Sequence, residues 1–542
     1  MKLSTFFHRH LVWHLCIILA IFLAYLIWSQ PHALIAWLGL IIFSSLSLIG
    51  LINLIQTKHS ILKNYPVAGL LRFWMEAVRP EIRQYLIESD TDKVPFSRNQ
   101  RALVYQRSKG LSDQRAFGTL DNVYAVGYEW LSYANAPSPK VPLENLRIRV
   151  GGQACTQPYD ISIFNISAMS FGALSGNAIL ALNKGAKLGG FAQDTGEGSV
   201  SPYHRKYGGD LIWEIGSGYF GCRTKTGHFD LALFTEVAND PQIKMIEIKL
   251  SQGAKPGHGG ILPAAKITPE IAKTRGIPMD HDCISPNRHS AFHTPIELMY
   301  FIQKLRESAN GKPVGFKLCI GEPENWFAIV KAMLKTGITP DFIVVDGSEG
   351  GTGAAPVEFI DHVGMPMRDA LRLIHSSLVG VDLRKQIRLG AAGKIISAFD
   401  VIRTCAIGAD WCNSARGFMF AIGCIQSRTC NTDRCPTGVA TQNVQRQKAL
   451  NPIDKGQRVY SFHLNTLHAV AHLLAAASLK HTSEITPNLL MRRNDKGMIE
   501  SFATNLLSIE TGSLLSDSPV LVFAKQAPYL TDAWLNANPH SW

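Results

Sequence analysis

Three clustered cysteines carry the strongest chemical signal in this chain of 542 residues: Cys424, Cys430 and Cys435 in GCIQSRTCNTDRCPTGVATQ (423–442). Thiolates are soft ligands that suit iron–sulfur clusters or zinc. A structural zinc takes four ligands, and no CxxC or His set accompanies this triad, so zinc fits poorly. Three thiolates do match a three-iron cluster in which each iron takes one protein ligand. The alternative is three unrelated buried cysteines. The chain has ten cysteines in all, and scattered over this length they do not read as a disulfide framework.

A second signal is EIKLSQGAKPGHGGILPAAKIT (247–268), which sets Lys249, Gln252 and Lys255 at the end of an apolar run and in the loop after it. Two ammonium groups beside a run of glycines make an anion site with close backbone approach. A lysine inside a run such as MIEIKL needs a partner if it is buried. In QDTGEGSVSP (193–202), Glu197 stands among glycines. Such a carboxylate either shuttles a proton or is simply solvated. Three further glycine-rich loops follow apolar runs: DGSEGGTGAAP (346–356), LGAAGKI (389–395) and NSARGFMFAIG (413–423). They present Asp346, Gly350, Gly351, Thr352, Gly393, Arg416 and Gly417. Backbone N–H groups in such loops cradle phosphate, and Arg416 can add a bidentate contact.

These residues need a frame that gathers them. From about residue 155, short apolar runs alternate with helical patterns. The candidate strands are 161–166, 189–194, 210–216, 245–250, 313–319, 341–346, 386–391 and 410–415, with helical patterns at 174–189, 295–308, 325–337 and 398–409. Strand–helix alternation predicts parallel βαβ units. Eight of them match an α/β fold of the (β/α)₈ TIM-barrel type, with a doubly wound sheet as the alternative. On such a barrel, chemistry sits on loops after the C-terminal strand ends, and phosphate often binds after strands seven and eight. A further helix is expected over 460–480. Residues 95–109 show little periodicity, and the stretch up to Trp542 reads as irregular.

The N-terminus differs in texture. Leu11 to Trp28 has no formal charge and only His14, and Ala33 to Ile55 has none, with Pro31 between them. Each run approaches the length of a membrane-spanning helix. A cleaved signal peptide or a buried helical hairpin are the alternatives. Lys2 and Arg9 precede the first run, and Lys58, Lys63 and Arg72 follow the second. The positive-inside rule then puts both ends in the cytoplasm. The expected organisation is a transmembrane hairpin (1–60), a lead-in segment (61–150), a barrel with the cysteine motif (151–450) and a C-terminal helical and irregular extension (451–542). The expected location is the inner (cytoplasmic) membrane, with the catalytic part facing the cytoplasm. Net charge is +12, which suits a surface near anionic membrane lipid. No basic block, zinc-finger or RNP-type pattern supports nucleic-acid binding.

The cysteine segment, with its CPTGVATQ tail, resembles the [3Fe–4S] motif of glutamate synthases. ISAMSFGALSGNA (166–178), with Ala168, Met169 and Ser170, resembles their flavin-contacting loop. The resemblance spans about residues 90–450 and implies FMN and a [3Fe–4S] cluster. It further implies Lys249 near the flavin N1–C2=O edge, Lys255 and Arg275 on a substrate carboxylate or oxo group, and Glu197 as the catalytic carboxylate. Where the family reads KPGEGGQLP, this chain reads KPGHGGILP: His258 replaces a Glu, and Ile261 replaces a Gln that helps hold 2-oxoglutarate. An isoleucine cannot donate that hydrogen bond. Ala392-Gly393 replaces a Gly-Gly pair. No counterpart of the glutaminase nucleophile is recognised, and there is no strand–GxGxxG–helix fingerprint.

The resemblance therefore implies reductive amination of a 2-oxo acid, 2-oxoglutarate plus ammonia to glutamate. Ammonia is expected from solution or a partner, and electrons from ferredoxin or another donor through the cluster. Two alternatives stand beside it. One is an FMN/iron–sulfur dehydrogenase of another amino or hydroxy acid that passes electrons to a membrane partner. The other is a non-catalytic electron-transfer protein.

Overall fold

The computed structural model describes residues 3–92, 95–505, 507, 509–516, 522–523 and 527–542. Lys2 lies outside them. The chain divides into two compact units, Met1–Asp92 and Lys93–Trp542.

The first unit is helical. Helix α1 (Leu3–Ser29) and helix α2 (Leu34–Ile55) pack as an antiparallel hairpin. Trp13 Nε1 donates to the carbonyl of Ser47 at 2.9 Å, and its indole lies over Gly50, where a Cβ would collide with the ring. Arg9–Ser29 and Leu34–Ile55 are long and apolar enough to cross a membrane, with mean hydropathy 2.4 and 2.3. Helix α3 (Ala68–Ile82) follows and runs into a wider turn over Arg83–Ile87.

The second unit is built on a closed barrel of eight parallel strands. These are β1 (Phe164–Ile166), β2 (Gln193–Asp194), β3 (Leu211–Ile215), β4 (Ile243–Lys249), β5 (Val314–Leu318), β6 (Phe342–Asp346), β7 (Arg388–Ala392) and β8 (Trp411–Ser414). Each falls within or overlaps one of the eight runs expected from sequence, so the (β/α)₈ frame holds and a doubly wound sheet is excluded. Closure comes from β8 pairing with β1 and β4 with β5. The core of buried Val, Ile, Leu and Phe fills the space between strands and helices.

Three details differ from the sequence expectation. The first run splits: Tyr159–Ser162 pairs antiparallel with Arg147–Val150 outside the barrel, and only Phe164–Ile166 joins it. Residues 98–109 form helix α4 (Arg98–Lys109). A capping box stops its N-terminus, with Ser97 Oγ accepting from Gln100 N and Gln100 Oε1 from Ser97 N. Gly110 at φ 67 closes the other end. The last stretch is not simply irregular: Leu490–Arg493 and Ile499–Ser501 form a sheet with Glu129–Leu131, and Pro528–Asn536 is a helix. Cross-strand pairing over that sequence distance leaves no local signature.

Helix α5 (Gly176–Gly189) follows β1, and helix α6 (Pro452–Ala476) packs along it. Gly185 permits this approach: a Cβ there would meet the side chain of Val459.

Candidate functional site

The loop after β2 carries Glu197. Gly196, at φ +62, turns the chain, and its N–H donates to Asp194 Oδ1 at 2.9 Å. The Glu197 carboxylate meets Lys249 Nζ, at the end of β4, at 2.9 Å. Backbone closes in around it. A Cβ at Gly216 would lie 2.6 Å from Glu197 Oε2, and one at Gly260 would overlap Oε1. Ser285 Oγ donates to Oε2 at 3.4 Å. Burial alone would raise this carboxyl's pKa, but Lys249, Arg275 and Lys255 outweigh it and hold the pKa below its ordinary value. Glu197 is therefore an ionised carboxylate beside three cations.

Each cation is positioned separately. Lys249 also donates to Gln252 Oε1 at 3.0 Å. Its carbonyl accepts from His289 Nε2 at 2.8 Å. The Tyr219 hydroxyl accepts from the N–H groups of Ser290 and Ala291, which leaves its own proton for His289 Nδ1 at 3.1 Å. Burial lowers His289 to about 4, so it is a neutral strut. Lys255 is 4% exposed and donates to the Ala354 carbonyl at 3.2 Å. Burial lowers its pKa, with Lys249 adding to the effect and Glu197 opposing it. Arg275 ends the helix Pro269–Arg275 and donates to the Phe171 carbonyl at 3.0 Å and to Ser170 Oγ at 3.3 Å. Its guanidinium lies 5.2 Å from the centre of the Phe220 ring. Buried Arg275 Nε has no hydrogen-bond partner among the described residues. An anionic ligand is the natural acceptor for such a donor.

Of the other sequence-derived residues, Ala168, Met169 and Ser170 form the loop after β1. This loop presses against Gly196 and Gly198, where a Cβ would meet Ser170 N at 2.7 Å and Ser170 Cβ at 2.8 Å. Asp346 ends β6, and its Oδ2 accepts from Gly253 N at 2.9 Å; burial raises its carboxyl. Gly350 sits 3.3 Å from the Gly253 Cα, measured from an added Cβ, so the β4 and β6 loops touch. Arg416 donates to the Glu349 carbonyl at 2.9 Å and lies 4.7 Å from the Phe96 ring centre. Burial brings it down to about 10, still a cation at neutral pH. Gly351 lies beneath this guanidinium. Nothing crowds Gly353, and Thr352 Oγ1 donates to the Ala354 carbonyl at 3.4 Å. Gly393 faces Glu349 and Met367, while Gly417 packs toward Ser414, Ile396 and Phe462. Exposed glycine backbone beside Arg416 suits a phosphate.

The cysteines follow β8. Cys424 lies after the short helix Arg416–Ala421, Cys430 opens a turn over Cys430–Thr432, and Cys435 is buried. The three thiols interact electrostatically with one another. Among the described residues, the group of three candidate ligand atoms all within 4.8 Å of one another is Asp194, Glu214 and Glu247, not the cysteines. A single zinc with Zn–S of about 2.3 Å would draw thiolates to about 3.8 Å from one another. Burial would raise the Cys435 thiol, but backbone N–H groups of Ala440, Thr437 and Val439 and the Thr437 hydroxyl lower it overall. Gln442, in the motif's tail, donates to the carbonyls of Gly172 and Leu174 at 3.0 and 2.9 Å. Lys266 Nζ donates to the carbonyls of Ala173, Cys430 and Ala440. The cysteine segment is thus fastened to the β1 loop that also holds Arg275.

Sequence reasoning missed a buried polar group inside the barrel. Asp194, Glu214 and Glu247 surround Lys317, which pairs with Glu214 and, at 3.2 Å, with Glu247. All four are at most 3% exposed. The signal was a charge at alternate positions of otherwise apolar strands, as in LIWEI and MIEIK. Glu349 was also missed; its Oε2 accepts from Met367 N at 2.9 Å at the start of the helix Met367–Gly380.

Fold and site together define a parallel (β/α)₈ barrel with a cation-ringed carboxylate at the C-terminal strand ends and a cysteine triad alongside. Residues 144–480 match the family model described as the conserved region in glutamate synthase, and the chain belongs to this family of oxidoreductases. It is 36% identical over 484 residues to the glutamate synthase large subunit-like protein YerD of Bacillus subtilis, covering 82% of this chain and 92% of that one. It is 36% identical over 307 residues to the archaeal-type glutamate synthase [NADPH] of Thermotoga neapolitana, covering 56% of each chain. Among solved structures, a flavocytochrome b2 mutant with pyruvate bound superposes with TM-score 0.40 at 11% identity, over 78% of this chain and 85% of that one.

Proposed function

We propose that the chain is a membrane-anchored, FMN-dependent enzyme that reductively aminates a 2-oxo acid, with 2-oxoglutarate and ammonia giving glutamate. The observation that carries this reading is the buried Glu197 carboxylate with Lys249, Lys255 and Arg275 around it. Three cations against one carboxylate leave an excess of positive charge, which suits a dianionic acid. Arg275 and Lys255 hold the acid's carboxylate and oxo group, and the unpartnered Arg275 Nε takes an acceptor oxygen. Glu197 takes and returns protons as ammonia condenses with the oxo carbon to an iminium ion and water leaves. Lys249 keeps Glu197 ionised and oriented, and Gln252 holds Lys249. The backbone at Gly216 and Gly260 packs closely against the carboxylate.

The residues fit both implied groups. Lys249, Ala168, Met169, Ser170, Asp346, Gly350, Gly351, Thr352, Gly393, Arg416 and Gly417 would hold FMN, and Cys424, Cys430 and Cys435 a [3Fe–4S] cluster. When bound, FMN supplies hydride to the iminium carbon and the cluster passes single electrons from ferredoxin or another donor. Ammonia arrives from solution or a partner. Helices α1 and α2, whose apolar surfaces are mostly exposed within the chain, anchor it in the inner membrane, and Arg9 before the spans with Lys58, Lys63 and Arg72 after them puts the second unit on the cytoplasmic side.

The same exposed hairpin favours a second reading, a dehydrogenase of another amino or hydroxy acid that passes electrons to a membrane partner. Ile261, half-buried in the short pairing with Ile284, brings no donor to the site.

One experiment separates the two. The protein is purified anaerobically in detergent, its visible and EPR spectra are recorded, and 2-oxoglutarate with ammonium is added after photoreduction. Reoxidation that needs both compounds and yields glutamate supports the first reading. Flavin and three-iron signals without that response favour the second. Folded protein lacking both signals overturns the assignment of cofactors.

A further inference from the structure

We infer that helix α3 and the turn after it, Ala68–Ile87, lie in the headgroup–acyl boundary of an anionic bilayer, with the apolar side facing the lipid chains. This rests on α1 and α2 being membrane spans and goes beyond it.

At 3.6 residues per turn, Leu70, Leu71, Trp74, Val78 and Ile82 fall on one side of α3, with Glu81 of the last turn among them, and Arg72, Glu76 and Arg79 on the other. Among the described residues, this apolar side is only partly covered: Leu70, Val78 and Ile82 are half-buried, while Leu71 is 63% and Trp74 59% exposed. Tyr85, Leu86 and Ile87 extend the apolar surface, at 57%, 80% and 71% exposure. A face of this kind is stable only when something covers it.

Continuity with the hairpin and charge both point to lipid. Asn53, in the last turn of α2, donates to the Pro66 carbonyl at 2.7 Å, and Gly69 N donates to the Tyr65 carbonyl at 2.8 Å. The start of α3 is therefore tied to the end of the second span, where an apolar layer gives way to headgroups. Lys58 and Lys63 stand in the connection, and Arg72, Arg79 and Arg83 on the helix and turn, against Glu76 and Glu81. A basic polar side with tryptophan on the apolar side is the composition of an interfacial helix, and clustered Lys and Arg draw it to anionic headgroups. Pro80 removes one backbone donor near the C-terminal end, and the helix relaxes into the wider turn Arg83–Ile87.

The test places a photo-crosslinking benzoyl-phenylalanine in the full-length chain at positions 71, 74 or 78, and separately at 72, 76 or 79. The protein is reconstituted in vesicles of mixed phosphatidylcholine and phosphatidylglycerol, irradiated and analysed by mass. Lipid adducts about tenfold more abundant at 71, 74 and 78 are expected. Yield at those positions should fall about fivefold in phosphatidylcholine alone; equal yield would overturn the preference for anionic lipid. Adducts to the same chain, to a second copy or to water-exposed competitors at 71, 74 and 78 would overturn the inference. Positions 22 and 42, exposed on α1 and α2, report on the spans. Lipid adducts there without any at 71, 74 and 78 would remove the interfacial helix and leave the anchor standing. None at either set would remove both.

Discussion

Lys249 Nζ and Glu197 Oε2 stand 2.9 Å apart although Glu197 lies in the loop after β2 and Lys249 ends β4, and both side chains are at most 14% exposed. The pair is the joint between β2 and β4 at the mouth of the barrel. Removing the cation strands a buried carboxylate, which is costly. Lys249→Met is expected to lower turnover about a hundredfold or more and to raise the Glu197 carboxyl toward neutrality. Carboxylate infrared bands across a pH titration check the second effect, and unchanged bands would remove Lys249 from this role.

Glu197→Gln keeps the shape of the side chain and removes its proton chemistry. Substrate binding should survive within a few-fold, because Lys255 and Arg275 remain, while the rate falls about 10²–10⁴-fold. Binding measured by flavin perturbation, set beside single-turnover rates, separates the two. Equal loss of binding and rate would make Glu197 a binding residue only.

Gly260→Ala would drive a methyl group into the Glu197 carboxylate. About 1–3 kcal/mol of destabilisation is expected, with loss of activity beyond that shift. Denaturant unfolding and residual turnover measure both. Gly353→Ala, in open space, is the control and should leave stability unchanged.

The interior group titrates against the usual direction. Burial first, with Glu214 adding to it and Lys317 opposing, raises Glu247 to about 7 from its ordinary 4.5. A carboxyl that binds its proton more tightly when folded favours the fold while protonated. Its stabilisation is full below about 4.5 and is lost as pH rises through 7. Thermal melting between pH 5.5 and 8.5 should show a fall of a few degrees on the alkaline side, and Glu247→Gln should flatten it. Lys317→Met should instead destabilise at every pH, because it leaves Glu214 buried without its partner.

Cys430→Ser should lower bound iron and abolish any three-iron EPR signal. Flavin absorbance should persist, since none of the proposed flavin residues lies between Cys424 and Cys435. Full iron content in this variant would exclude Cys430 as a ligand.

Much of this was legible in the chain. All eight barrel strands, the hairpin of α1 and α2, and the clustering of the three cysteines are local patterns, set by apolar run length and by residue spacing over a short stretch. Helix α4 was not, because its polar surface carries little apolar periodicity; its Tyr105 hydroxyl donates to the Cys424 carbonyl at 2.7 Å, a contact no local pattern announces. Sequence also named Glu197, Lys249, Lys255 and Arg275 without being able to bring them together. Barrel closure does that, since parallel strands end at one rim whatever their separation along the chain. Register then decides which side chains point inward. Glu214 lies opposite Glu247, and Lys317 opposite Lys249. That is why the gathering of the buried carboxylates around Lys317 became visible only in three dimensions, while the charges within apolar runs were already written in one.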